Sequence, residues 1–131
     1  MDKPATFWML EPLRKYASFS GRARRREYWW FEVFWVLVVT GLSIVDGAVL
    51  GIHWDSDYGS IGPLAALAIL FFLIPNLAVS IRRLHDRDKS GWWLLINIIP
   101  FFGTLFLFYQ YISAGTPGDN SYGPDPKAGE G

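Results

Sequence analysis

The chain has 131 residues, 51% of them hydrophobic and 18% aromatic, with seven Trp, no Cys and a formal net charge of zero. That length accommodates one domain, and the lack of Cys excludes a disulfide framework, thiolate chemistry and a zinc–sulfur site. The zero charge conceals a segregation: seven of the twelve Lys/Arg lie in residues 1–27, four in residues 82–89, and Lys127 stands apart.

Residues 1–19 place Phe7, Leu10, Leu13 or Arg14, and Ala17 at helical spacing, with Glu11, Arg14 and Lys15 alongside. Such a pattern predicts a short helix lying in a membrane interface, its aromatics among the headgroups. Pro12 argues against one continuous helix, because it removes a backbone donor and collides with the preceding turn. A break there and a new helix with Pro12 in its first turn fit equally well. The apolar residues Phe7, Trp8, Met9 and Leu10 are too few for a signal-peptide core, and no cleavage site follows them.

The basic cluster GRARRR (21–26) immediately precedes the first long apolar run. Short Arg runs neutralise nucleic-acid phosphates, but beside a span they are better explained as topology determinants and anionic-lipid contacts, at about 1 kcal/mol per charge near the surface. Nucleic acid is therefore not an expected partner. The first span is expected over residues 28–52, which at ~1.5 Å per residue exceeds the ~30 Å hydrocarbon core. Glu32 and Asp46 interrupt it on one helical face, which should meet protein or water unless both carboxylates snorkel to the edges.

Residues 51–60 form a short polar loop without Lys or Arg, and its His53, Asp55 and Asp57 are too sparse for a metal site. The second span is expected over residues 61–81 and the third over residues 92–112, neither carrying a charge. Pro100 and Gly103 predict a kink in the third, a re-entrant hairpin being the less favoured alternative. Residues 113–131, rich in Gly and Pro and poor in apolar groups, read as a flexible tail.

Between the second and third spans lies RRLHDRDKSGWW (82–93). A basic loop there fixes orientation by the positive-inside rule: N-terminus cytoplasmic and, with three spans, C-terminal tail outside, leaving eleven Lys/Arg on inner segments and one on outer segments. Ser90 is placed as the N-cap of the third span. His85 beside Asp86 invites an acid–base reading, since a carboxylate orients an imidazole. Asp86 and Asp88 pair equally well with Arg82, Arg83 or Arg87 in a polar turn, and no catalytic residue, metal or cofactor is assigned.

Two functional constellations follow. Arg22, Arg24, Arg25 and Arg26, with Arg82, Arg83, His85, Asp86 and Arg87, are expected to form a composite site for anionic lipid headgroups or a partner, framed by Trp29, Trp30, Trp92 and Trp93. Glu32, Asn76 and Asn97 are expected to form a polar layer just beneath it, either as interhelical glue or as the site of a small transporter or channel subunit. Glu32 is expected to pair with Arg82 or Arg83.

Three segments, FSGRARRREYWWF (19–31), RRLHDRDKSGWW (82–93) and GDNSYGPDP (118–126), together resemble a bacterial inner-membrane family, domain of unknown function 805. The resemblance implies a small multi-pass membrane protein and supplies no catalytic residues. The sequence thus reads as all-α and integral to the membrane: an N-terminal interfacial segment (1–19), a three-span domain (20–112) and a tail (113–131). The favoured role is a non-enzymatic module that binds anionic lipid, with a homo-oligomer or membrane-protein partner left open.

Overall fold

A computed structural model describes residues 3–51 and 61–127 of the chain. His53, Asp55 and Asp57 lie outside the described residues. The long elements are α2 (Arg25–Leu50) and α3 (Pro63–Asp86), which follow the short α1 (Ala5–Arg14). At ~1.5 Å per residue, the 26 residues of α2 and 24 of α3 exceed the ~30 Å of a hydrocarbon core. Both are apolar enough to cross one, with mean hydropathies of 2.2 and 2.4 over their best windows.

The two run antiparallel, as their end-to-end bonds show. At one end the Ala23 N–H donates to Arg82 O, 2.9 Å. At the other, the buried Asp46 carboxylate of α2 accepts from the Leu64 and Ala65 N–H groups at 3.3 and 3.0 Å. Asp46 therefore serves as the cap of α3, whose own N-cap residue Gly62 has no side chain to do it. Neither snorkelling nor a face shared with Glu32 explains its position. The seam between the helices is built from Tyr28 and Phe31 against Ala68, Phe72 and Val79, with Phe34, Trp35, Val38 and Leu42 around them. Small Ala residues on α3 admit the larger rings of α2, the usual means of close approach where water supplies no driving force.

Pro75 sits inside α3, so Phe71 O loses its helical donor. The Tyr16 hydroxyl takes its place, donating to Phe71 O at 2.6 Å. This bond, with the packing of Leu13 on the core, holds the N-terminal segment against the helix pair. The α1 helix continues through Pro12 to Arg14 rather than breaking there. Only two residues of helix follow Pro12, and its ring is buried with Trp8.

The third apolar run departs from the expected kinked span. It folds into a 3₁₀ helix (Gly91–Ile98) and α4 (Phe102–Ile112), joined by a reversal. Eight residues at ~2.0 Å and eleven at ~1.5 Å give two arms of about 16 Å each, half a hydrocarbon core. Phe101 makes the turn with φ 68° and ψ −63°, closed by the Phe102 N–H to Pro100 O at 2.8 Å. That is a γ-turn of the rarer, strained hand. The arms touch through the Trp93 and Phe106 rings, 5.2 Å apart, and through Thr104 Oγ1 donating to Asn97 Oδ1 at 3.4 Å. Gly103 is required here, because a Cβ would penetrate the Ile96 carbonyl.

Both hairpin ends lie where α3 ends. The loop before the 3₁₀ helix is short, since α3 absorbs Arg82–Asp86 of the basic stretch. Its terminus places Asp88 at φ 58°, with the Asp88 N–H to His85 O and the Lys89 N–H to Leu84 O, both 2.9 Å, in a Schellman arrangement. Ser90 Oγ then accepts from the Trp92 N–H at 3.2 Å and caps the 3₁₀ helix as expected. Residues 113–127, read from composition as a tail, return over this same end.

Candidate functional site

The basic end of the helix pair gathers the cluster 21–26, the stretch 82–89, the end of α4 and the C-terminal segment. Asp86 is its node. Its carboxylate, 1% exposed, accepts from Arg22 Nε at 2.9 Å and from Arg83 Nη1 at 2.5 Å. Its backbone carbonyl accepts from the Thr116 N–H at 2.7 Å. The chain passes so close that a Cβ on Gly115 would overlap the Asp86 carboxylate.

Arg22 and Arg83 extend the node outward. Arg22 donates to Gly118 O and Thr116 O at 2.7 and 2.5 Å. Arg83 donates to Tyr111 O at 3.3 Å, to Ala23 O at 3.4 Å and to Ser113 O. Arg82 donates to Ser18 O at 3.0 Å and pairs with Glu27, which is also bridged by Lys15 at 3.5 Å. Arg87 donates to Gln110 Oε1 at 3.1 Å and Ala114 O at 2.6 Å. Arg25 donates to Ile112 O at 3.2 Å, and Trp29 Nε1 to Tyr111 O at 3.0 Å.

A physical logic connects these bonds. The last carbonyls of any helix lack intrahelical donors and carry the negative end of its dipole. Those of α4 and the residues after it, Tyr111 to Ala114, receive Arg83, Arg25, Arg87 and Trp29. Arginine suits this work because one planar guanidinium reaches several acceptors while keeping its charge. The C-terminal segment is fixed by the same end. Asn120 Nδ2 donates to His85 O at 2.9 Å, the Ser121 N–H to Asp88 Oδ1 at 3.0 Å, and Tyr122 stacks on His85 with centroids 4.0 Å apart. Asp125 accepts from the Gly118 and Lys127 N–H groups, which hold its carboxyl below the ordinary 3.8.

The sequence-predicted residues thus fare differently. The two basic segments do meet. However, Arg22, Arg24, Arg82 and Arg83 are buried, and Arg22, Arg82 and Arg83 donate to carbonyls and carboxylates, while Arg25 and Arg26 remain exposed. His85 and Asp86 do not form a dyad: His85 Nδ1 donates to Gly21 O at 2.9 Å, and Asp86 belongs to the arginines. The expected polar layer does not converge among the described residues. Glu32 accepts from Trp35 Nε1 at 2.7 Å on its own helix, Asn76 donates to Phe72 O at 3.1 Å on its own helix, and Asn97 bonds Thr104 across the hairpin. Arg82 takes Glu27, one turn earlier than the expected Glu32. Glu27 was missed because charge counting merges it into the basic cluster; its position in the first turn of a span was the available signal.

An exposed groove lies beside this network, about 500 Å³ in volume, lined by Arg25, Arg26, Trp29, Trp30, Val33 and Ile112. Among the described residues, no group of three or more His, Cys, Asp or Glu is arranged to hold a metal.

Comparison with known proteins agrees with an integral membrane protein. The chain is 42% identical over 120 residues to inner membrane protein YhaH of Escherichia coli K12, covering 92% of this chain and 96% of the relative. It is 42% identical over 122 residues to inner membrane protein YhaI of the same organism, covering 93% and 97%. Uncharacterized protein YiiR of that strain is 28% identical over 134 residues, covering 82% and 85%. No solved structure matches the chain. Residues 16–124 match the family described as protein of unknown function (DUF805), and that match, running from the segment before the arginine cluster to the Tyr122 clasp, shows that the chain belongs to the DUF805 family.

Proposed function

We propose that the protein is a bacterial inner-membrane protein with two spans and a half-membrane hairpin, both termini cytoplasmic, acting as a non-enzymatic module whose basic face engages anionic lipid. The inner-membrane names of YhaH and YhaI support the location. The observation that carries the topology is the capture of the last α4 carbonyls by Arg25 and Arg83 and of Ala114 O just beyond them by Arg87. It sets both ends of the hairpin and the residues after it level with the start of α2 and the end of α3. In that arrangement all twelve Lys/Arg lie on one side, because residues 51–60 between the spans contain none. Three spans leave Lys127 on the outer side; two spans satisfy the positive-inside rule completely.

The arginine network makes this face a fixed platform, and its exposed members carry the attraction for anionic headgroups. Glu32, Asn76 and Asn97 bond near neighbours and so lend a transport path no shared site. The test is a pair of fusions at Gly131 in intact cells. A fluorescent reporter that matures in the cytoplasm is expected to be bright there, and alkaline phosphatase inactive. Active phosphatase at Gly131 contradicts the two-span topology. Purified protein is expected to retain anionic over zwitterionic lipid, with a preference that falls as salt rises.

A further inference from the structure

We infer that the groove between the first turns of α2 and the end of α4 seats one anionic phospholipid, phosphate at the arginines and an acyl chain along the floor. This rests on the lipid-binding reading above and narrows it to one site.

The groove has a basic mouth and an apolar floor in the order a lipid requires. Arg26, Trp30 and Val33 fall at i, i+4 and i+7 on one stripe of α2, with Arg25 and Trp29 beside them. From the arginines to Val33 is about 12 Å along the helix, so the wall runs from headgroup level into the acyl region. Ile112 closes the other side.

Part of the wall is preordered. Trp29 is held by Tyr111 O and meets Phe108 edge-on at 5.9 Å. Arg25 is steadied by its bond from Nη1 to Ile112 O, and its side chain stays exposed at the mouth. Trp30, 37% exposed, presents its ring to whatever fills the groove.

The two arginines are not placed to favour their own helix. Cations in a first helical turn oppose the macrodipole. Arg25 and Arg26 flank an apolar cleft with exposed guanidinium groups, whose planar donors match a phosphate oxyanion. A soluble phosphate or an acidic peptide would use the mouth and leave the floor wet. A zwitterionic lipid would use the floor and gain less at the mouth. An anionic phospholipid uses both.

The experiment is native mass spectrometry of the full chain in a mild detergent, titrated with equal mixtures of dioleoylphosphatidylglycerol and dioleoylphosphatidylcholine. The parent is expected to retain one phosphatidylglycerol per chain. R25Q/R26Q is expected to reduce the preference by about thirtyfold, the factor for two charges near a membrane surface. R25K/R26K should recover part of it, and Trp30→Ala, at an exposed position, should weaken both lipids together by opening the floor. R14Q/K89Q removes equal charge elsewhere on the basic end and should leave the preference near the parent value. Glycerol phosphate should not compete.

If R14Q/K89Q reduces the preference as much as R25Q/R26Q, the groove is not a site, although the general lipid reading stands. If glycerol phosphate competes as well as the lipid, the ligand is a soluble phosphate. A parent with no preference at all overturns both the groove and the reading beneath it. Should R25Q/R26Q fail to fold, an unchanged lipid count in Trp30→Ala and R25K/R26K overturns the groove on its own.

Discussion

Replacing Asp86 by Asn removes a buried negative charge with little change of shape. Asp86 is 1% exposed and compensates two guanidiniums, Arg22 and Arg83, themselves almost fully buried. Breaking a buried ion pair from one side costs ~3–5 kcal/mol, because the remaining charge stays in a poor dielectric. Two cations depend on this carboxylate, which argues for the upper part of that range. Against it, Arg22 keeps the carbonyls of Thr116 and Gly118, and Arg83 keeps those of Ala23, Tyr111 and Ser113. These satisfy donors without neutralising charge, so the expected loss is about 3 kcal/mol. The assay is reversible unfolding in mixed micelles with rising dodecyl sulfate, followed by Trp fluorescence, alongside hydrogen exchange of residues 113–127. Exchange should accelerate through that whole segment, because Arg22 is its main tether. Glu32→Gln, which disturbs one bond to Trp35 Nε1, is the control and should cost about 1 kcal/mol. If Asp86→Asn loses no more than the control and the segment exchanges as before, Asp86 does not organise this end.

Three further outcomes follow from individual contacts. Glu27→Gln should destabilise by ~3–5 kcal/mol, well beyond Glu32→Gln, because Glu27 and Arg82 are both nearly fully buried; equal effects in the same unfolding assay would deny that pairing. Gly103→Ala should cost ~1–3 kcal/mol by forcing the hairpin arms apart at Ile96 O, whereas Gly41→Ala, with open space around it, should be neutral or stabilising; a neutral Gly103→Ala would mean the arms are not so close. Asp125 has a lowered folded pKa, so its contribution is fully present above about 3.8 and is lost as pH falls through the lower folded value. Exchange of the amides it receives, Gly118 and Lys127, should rise only in that acid range, and Asp125→Asn should remove the pH dependence.

The sequence makes the long helices legible, because 20 or more apolar residues admit few other structures. The family was legible as well, in three short segments whose order matters more than their content. What the sequence concealed has two physical origins. In residues 92–112 a largely apolar run carries no charge to mark a reversal, so hydropathy cannot separate one long arm from two short ones. Pro100 and Gly103 were visible, yet a kink and a hairpin use the same residues. In residues 113–127 the origin is different: Gly and Pro leave few apolar groups to pack, but the backbone carbonyls of Ser113, Thr116 and Gly118 accept from buried guanidiniums. The aromatic Tyr122 was a signal that this stretch binds something. The juxtaposition of the two arginine segments was foreseen from charge, and their inward direction was not, since counting charges does not reveal which guanidiniums find acceptors.

The hairpin and the arginines also explain each other. Under the proposed topology, a hairpin that enters a bilayer and returns at half depth has two exposed problems, its tip and its ends. The tip is nearly self-sufficient: the N–H groups of Ile99, Phe102, Gly103 and Leu105 find Ile96, Pro100, Ile99 and Phe101 carbonyls within 3.0 Å. At the end of α4 Ser113 satisfies Tyr109 O, while the Tyr111 and Ile112 carbonyls take donors from other elements. Lys, with a compact ammonium on a flexible stem, covers a row of carbonyls poorly. Arg25 of α2 and Arg83 of α3 cover them from two sides, and Asp86 allows Arg83 to be buried beside Arg22. An arm anchored in this way is tied to both spans at one level, so displacing it requires breaking the Asp86 node as well. The arginine clusters proposed to orient the chain thereby also close its fold, and Arg25 does so from the mouth of the α2 groove, where its exposed side chain donates to Ile112 O.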